Sequence, residues 1–153
     1  MKIWIDHNKN ISSELLYRLS RDGEEISKFH ELCDNKGPTL TIFQVKDGNM
    51  GGIFTPLSWD IQSWTKNDKE SFMFNLNKNE QYKRANDNIS IYCTKDHGSW
   101  TYAFGFRKEN KMKKVQYNGI RINAGYENGS SNSSRTLYFD ITEVEAYKII
   151  ILN

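Results

Sequence analysis

Apolar positions open this chain at helical intervals and then change period. Ile11, Leu15, Leu16 and Leu19 recur three and four residues apart, which predicts a helix with Asn10 or Ser12 as its N-cap. Arg21-Asp22-Gly23 stops it, the glycine supplying the left-handed residue that helix ends commonly need. Ile26, Phe29, Leu32 and Cys33 form the stripe of a second short helix, which Asp34-Asn35-Lys36-Gly37-Pro38 ends.

From Thr39 onward the pattern is that of strands and turns. Thr39 to Val45 is β-branched and aromatic, and Asp47-Gly48 is the dipeptide of tight hairpins. The returning strand, Met50 to Phe54, carries Gly51 and Gly52, where another backbone or a large side chain is expected to come close. Further strands are predicted at Ser71 to Leu76, Ile89 to Thr94, Ser99 to Phe106, Gly119 to Asn123 and Thr136 to Phe139. A last one runs from Glu143 to Ile150, its Glu143, Glu145 and Tyr147 alternating with Val144 and Ala146. Trp59 to Lys69 and Tyr126 to Arg135 read as long surface loops. The fold class expected is mainly β (α+β): a two-sheet antiparallel β-sandwich with short N-terminal helices packed at its side. Its expected core includes Leu15, Leu16, Leu19, Phe29, Ile42, Phe72, Phe74, Ile91 and Val144.

Composition narrows the class. The 153 residues suit one domain, read as residues 11–153 after an N-terminal extension at 1–10. Thirteen per cent aromatic content with only two prolines is the signature of a globular chain. A formal net charge of +2 gives no general reason to expect nucleic acid or an anionic membrane as partner. Met1-Lys2-Ile3-Trp4-Ile5-Asp6-His7 brings in charge too early for a secretory signal. No apolar run approaches the roughly 18 residues of a membrane span, so no membrane insertion is expected and the location expected is cytoplasmic. In that compartment Cys33 and Cys93 are expected to be two reduced, buried thiols.

Catalytic chemistry is sparse. His7, His30 and His97 lie far apart without metal-ligand spacings, and no P-loop, G-x-S-x-G elbow or dinucleotide fingerprint occurs, so no metal and no cofactor are expected. His30 falls on the side of its helix taken as exposed and His97 in a turn beside Gly98, so both read as solvated polar residues. The basic run from Arg107 to Lys114 reads as a solvated loop between strands. The segment Ser58 to Lys69 is different: it sets Trp59 and Trp64 among Asp60, Gln62, Lys66 and Asp68, a composition suited to an interface anchor. Trp59 is expected to fill the end of the sandwich. Trp64 is the candidate anchor, with Asp60, Lys66 and Asp68 around it.

Several of these segments together resemble a known family. Leu15-Leu16-Tyr17-Arg18-Leu19-Ser20-Arg21-Asp22-Gly23, then Phe29-His30 and Cys33-Asp34-Asn35-Lys36-Gly37-Pro38-Thr39-Leu40, look like the opening of a TLDc domain. The likeness continues through Gly51-Gly52-Ile53-Phe54-Thr55, Ser58-Trp59 and Ser71 to Leu76, and closes with Glu143-Val144-Glu145-Ala146-Tyr147. The resemblance implies a β-sandwich flanked by helices, without established enzymatic activity. It also implies a link to oxidative-stress protection and to binding and regulation of the vacuolar proton pump (V-ATPase). The function expected is therefore a non-catalytic protein-interaction module, with V-ATPase subunits as the implied partner. Two alternatives stand beside it: a stress-protective enzyme or thiol antioxidant using Cys33 or Cys93, and a small-ligand-binding sandwich using the loop around Trp59 and Trp64.

Overall fold

The computed structural model describes residues 5, 9–83, 91–101, 104–118 and 136–152. In order they form β1 (Asn10–Arg18), α1 (Leu19–Asp22), α2 (Ile26–Cys33), β2 (Thr39–Val45), β3 (Met50–Thr55), β4 (Trp64–Lys66) and β5 (Phe72–Asn75). There follow β6 (Glu80–Lys83), β7 (Ile91–Cys93), β8 (His97–Trp100), β9 (Phe104–Arg107), a 3₁₀ helix (Lys108–Lys113), β10 (Lys114–Asn118) and β11 (Thr136–Leu152). The domain is mainly β and its named strands pair antiparallel, as the alternating apolar pattern predicts.

One strand organises both sheets. The first part of β11, Thr136 to Asp140, pairs with β10, which continues to β9 and β8. Its later part pairs with β2 on one side, from Ile141↔Val45 to Lys148↔Thr39, and with β1 on the other. From β2 the first sheet continues through β3 and β5 to β6. Tyr17, Ile53, Met73, Val144 and Ala146 of this sheet join Phe106 and Val115 of the second in one buried cluster. Phe43 meets Phe106 edge-on across the layers, ring centroids 6.0 Å apart. The opposite face of the first sheet gathers Leu40, Phe54, Phe72, Phe74 and Ile149, against which Ile5 packs.

The first predicted helix is overturned. Residues 10–18 are a strand, and only the single turn Leu19–Asp22 is helical. A nine-residue helix is marginal by itself, whereas β1 finds a ready partner in the end of β11, from Asn10↔Leu152 to Arg18↔Glu145. A bulge between Leu15 and Tyr17 inserts Leu16 as an extra residue, so Leu16 and Tyr17 are both buried in succession. That bulge is what makes the apolar spacing look helical. Leu15, Leu19 and Ile42 are half-buried, while the other six expected core residues are buried.

The second helix forms as read, burying Ile26, Phe29 and Cys33. The β2–β3 hairpin turns at Gly48, whose φ is +90° and whose N–H donates to the Val45 carbonyl. Three other expectations change. Ser99 to Phe106 is not one strand: β8 and β9 are antiparallel, with Trp100 opposite Gly105. Thr136 to Phe139 and Glu143 to Ile150 are parts of the single strand β11. Trp59 to Lys69 is not merely a loop, since Trp64–Lys66 pairs with β7. The strand expected at Gly119 to Asn123 and the loop at Tyr126 to Arg135 lie outside the described residues. The basic run is also more than a solvated loop. It forms the 3₁₀ helix, and Lys111 Nζ lies 2.7 Å from Glu24 and 2.8 Å from Glu25, while Lys113 also pairs with Glu24.

Candidate functional site

The ribbon β4–β7 carries the most exposed large apolar side chain among the described residues. Trp64 is 75% exposed, and Ile61 nearby is 50% exposed. The root of this ribbon is built by the end of α2. Asp34 bridges Trp59, and the Asn35 N–H donates to the Trp59 carbonyl at 3.0 Å. Trp59 itself turns inward and is wholly buried, its ring edge-on to Phe29 and its Nε1–H donating to Thr39 Oγ1 at 2.8 Å. Five residues apart, the two tryptophans thus serve opposite ends: one fills the core, the other stands in water.

Asp60 organises the turn between them. Its carboxylate accepts from the N–H groups of Gln62 and Ser63, from the Ser63 hydroxyl and from Lys66 Nζ at 2.8 Å. Burial alone would raise the Asp60 pKa, but the Lys66 ammonium and the Ser63 and Gln62 donors outweigh it and hold the carboxyl far below its ordinary range. Lys66 Nζ also donates to the Ser58 carbonyl at 2.6 Å, closing the loop on its own root. Asp68 makes a separate turn, accepting from the N–H groups of Glu70 and Ser71. Asp60 and Lys66 therefore brace the turn from within, and Asp68 braces the next.

Trp64 sits at φ +59°, a conformation that a bulky side chain adopts only under constraint. The Thr65 N–H reaches back to the Ser63 carbonyl at 2.6 Å, closing a three-residue turn with Trp64 at its centre. Such a backbone stores on the order of 1–3 kcal/mol. Local strain at a solvent-facing aromatic is the reverse of what stability alone would select.

The thiols and histidines lie behind this ribbon. Cys33 and Cys93 are free and buried, Cys93 opposite Trp64 in the pairing of β7 with β4. Burial pushes both thiols above the ordinary cysteine range, and for Cys33 the charges of Asp34 and Asp22 push further. A thiol reagent at pH 8 will accordingly label neither cysteine in the folded protein during the time that labels both in guanidinium. Rapid labelling of either one in the native state would restore the antioxidant reading. His30 is not solvated as the sequence suggests, while His97 is half-buried. His30 is 7% exposed, because it lies one turn after Ile26 on the face that α2 packs against the sandwich. The spacing Ile26/His30/Asp34 was the available signal. His97 begins β8, its ring against Trp100 and Tyr92.

A separate cleft of about 360 Å³ opens between the sheets near the β2–β3 hairpin, walled by Phe43, Gly51, Tyr82, Val115 and Phe139. Neither Trp59 nor Trp64 lines it. Among the described residues no group of three or more His, Cys, Asp or Glu is placed to hold a metal ion, and no helix is long and apolar enough to cross a membrane.

The described residues form a mainly β, antiparallel domain with few and short helices. Residues 1–150 match the family model of the TLDc domain, and the chain belongs to that family. No curated protein matches it.

Proposed function

We propose that this TLDc domain acts by stoichiometric binding of a protein partner, with Trp64 as the anchor of the contact. The observation that carries this reading is the exposed Trp64 ring, held out by a strained turn whose polar groups bond to one another. Binding hot spots are enriched in tryptophan, and a pre-braced loop loses little freedom when it docks. Ile61 extends the apolar surface, and the Asp60–Lys66 pair at its base keeps the shape. Membership of the family supports subunits of the vacuolar proton pump as the partner class, with protection against oxidative stress as the cellular consequence. The mode is non-catalytic.

Trp64→Ala should weaken capture of pump subunits by about 2 kcal/mol or more, roughly 30-fold in Kd. Thermal stability should be unchanged or slightly higher, because truncation at an exposed, strained position removes little packing. Trp64→Gly should raise stability further by relaxing the positive φ while abolishing the same contact. Calorimetric titration with purified pump subunits, alongside thermal melts, reads both quantities. Unfolding of Trp64→Ala would make the residue structural. Undiminished binding by a folded Trp64→Ala would place the interface elsewhere.

A further inference from the structure

His30 is held by two acceptors at once. Its Nδ1 lies 2.8 Å from Asp34 Oδ1 and its Nε2 lies 2.8 Å from the His97 carbonyl oxygen. A neutral imidazole has only one N–H, so one of these contacts would set a lone pair against an oxygen. The imidazolium satisfies both, and Asp34 balances its charge in a site from which water is nearly excluded.

Asp34 caps α2 itself, and His97 lies just beyond the second strand of the Trp64 ribbon. Asp34 bridges Trp59, where the chain enters the turn that ends in β4. His97 follows the short turn after β7, the strand that pairs with Trp64–Lys66. We propose that His30 is a pH-operated clasp on this ribbon: charged, it ties the His97 carbonyl, beside the end of β7, to the same end of α2 that bridges Trp59, and on losing its proton it releases that carbonyl and loosens β4–β7. What the clasp regulates rests on the Trp64 reading above, but the clasp itself can be measured without a partner.

The surrounding groups are consistent with that direction. Cys33 on α2 stays protonated, pushed up by burial. Tyr17, on β1, stays protonated too and donates to the Gly23 carbonyl. From the turn and β8 come Asp96 and His97, the latter with Nδ1 2.7 Å from Thr94 Oγ1. Arg107 on β9 and Glu109 on the 3₁₀ helix lie beyond His97, 3.6 Å from each other, and Lys111 is engaged by Glu24 and Glu25. Burial alone would lower the His30 pKa, but the Asp34 hydrogen bond and charge, with the His97 carbonyl, outweigh it and raise it. A raised pKa means the stabilisation is full below the unfolded value of about 6.5 and is lost as pH rises through the folded value. His97 runs the other way: burial and Arg107 lower its pKa, so its contribution is lost as pH falls below that same region. The two limbs lie on opposite sides and separate by mutation.

NMR titration of the unliganded protein tests this. The His30 ring should titrate above about 6.5, and the Trp64 indole and the amides of Thr65 and Lys66 should shift with the same midpoint. In His30→Gln that ribbon transition should vanish. Asp34→Asn, which keeps the histidine, should lower the midpoint by about 1 unit or more. A ribbon transition that persists in His30→Gln, a His30 midpoint below the unfolded value, or an unmoved midpoint in Asp34→Asn would each overturn the clasp. A clasp that operates while a folded Trp64→Ala captures pump subunits undiminished would sink the Trp64 reading and leave the clasp standing.

Discussion

Truncating Trp59 to alanine will destabilise the domain by about 3–5 kcal/mol. For a chain of this length that lowers Tm by roughly 10 °C or more. Trp59 is wholly buried, packs edge-on against Phe29, and belongs to the main core cluster with Tyr17, Cys33 and Cys93. Removing it leaves a cavity the size of an indole and deprives Thr39 Oγ1, also buried, of its donor. Trp59→Phe should fall between wild type and alanine, since it keeps most of the ring and loses the N–H. Chemical denaturation of both variants, run beside Trp64→Ala, is the measurement. Two tryptophans five residues apart should give losses differing by several-fold. Equal losses would mean that the division between core and surface tryptophan is wrong.

Gly52→Ala will be nearly as damaging, by about 3 kcal/mol or more, although it adds a single methyl. Gly52 pairs with Ile42 on one side and Phe74 on the other, in the middle of the first sheet. A Cβ there would lie 2.1 Å from the Thr41 carbonyl oxygen and 2.3 Å from Phe74 Cζ. A rotamer change can move the Phe74 ring, but the carbonyl belongs to the neighbouring strand and can move only if the ladder opens. Gly51→Ala is the control. Its Cβ would meet the Phe74 carbonyl at 3.0 Å and Phe43 Cζ at 3.1 Å, contacts that shifts of a few tenths of an ångström relieve. The expected order of melting temperatures is wild type, Gly51→Ala, Gly52→Ala. A Gly52→Ala protein as stable as wild type would show that the β2–β3 pairing tolerates separation at this point.

These residues also show where reading the chain succeeds. The close approach at Gly51-Gly52 is visible in sequence because two glycines inside a β-branched and aromatic run have no other ready explanation. Helix α2 is visible because Ile26, Phe29 and Cys33 keep helical spacing over two turns, long enough to exclude alternation. The β2–β3 hairpin is visible because Asp47-Gly48 supplies both the side-chain acceptor for the Asn49 N–H and the positive φ. For Trp64, the sequence shows an aromatic residue in a polar stretch. It does not show that Asp60 and Lys66 point at each other and leave the ring alone in solvent.

What the sequence by itself determined is local: α2, the first hairpin, the inward alternation of Val144 and Ala146, and the family to which the chain belongs. Those signals are carried by neighbours along the chain, and neighbours are all that a period or a turn dipeptide reports. The tertiary structure decided the rest. It made a strand of Asn10 to Arg18, because the end of β11 offered partners that a nine-residue helix lacks. It joined Thr136 to Leu152 into one strand that pairs with β10 at its start and with β2 and β1 further along. It buried His30 between Asp34 and a carbonyl that lies 67 residues further along. Pairing across a sheet and desolvation of an imidazole are set by groups distant in sequence, so they become definite only when the layers close.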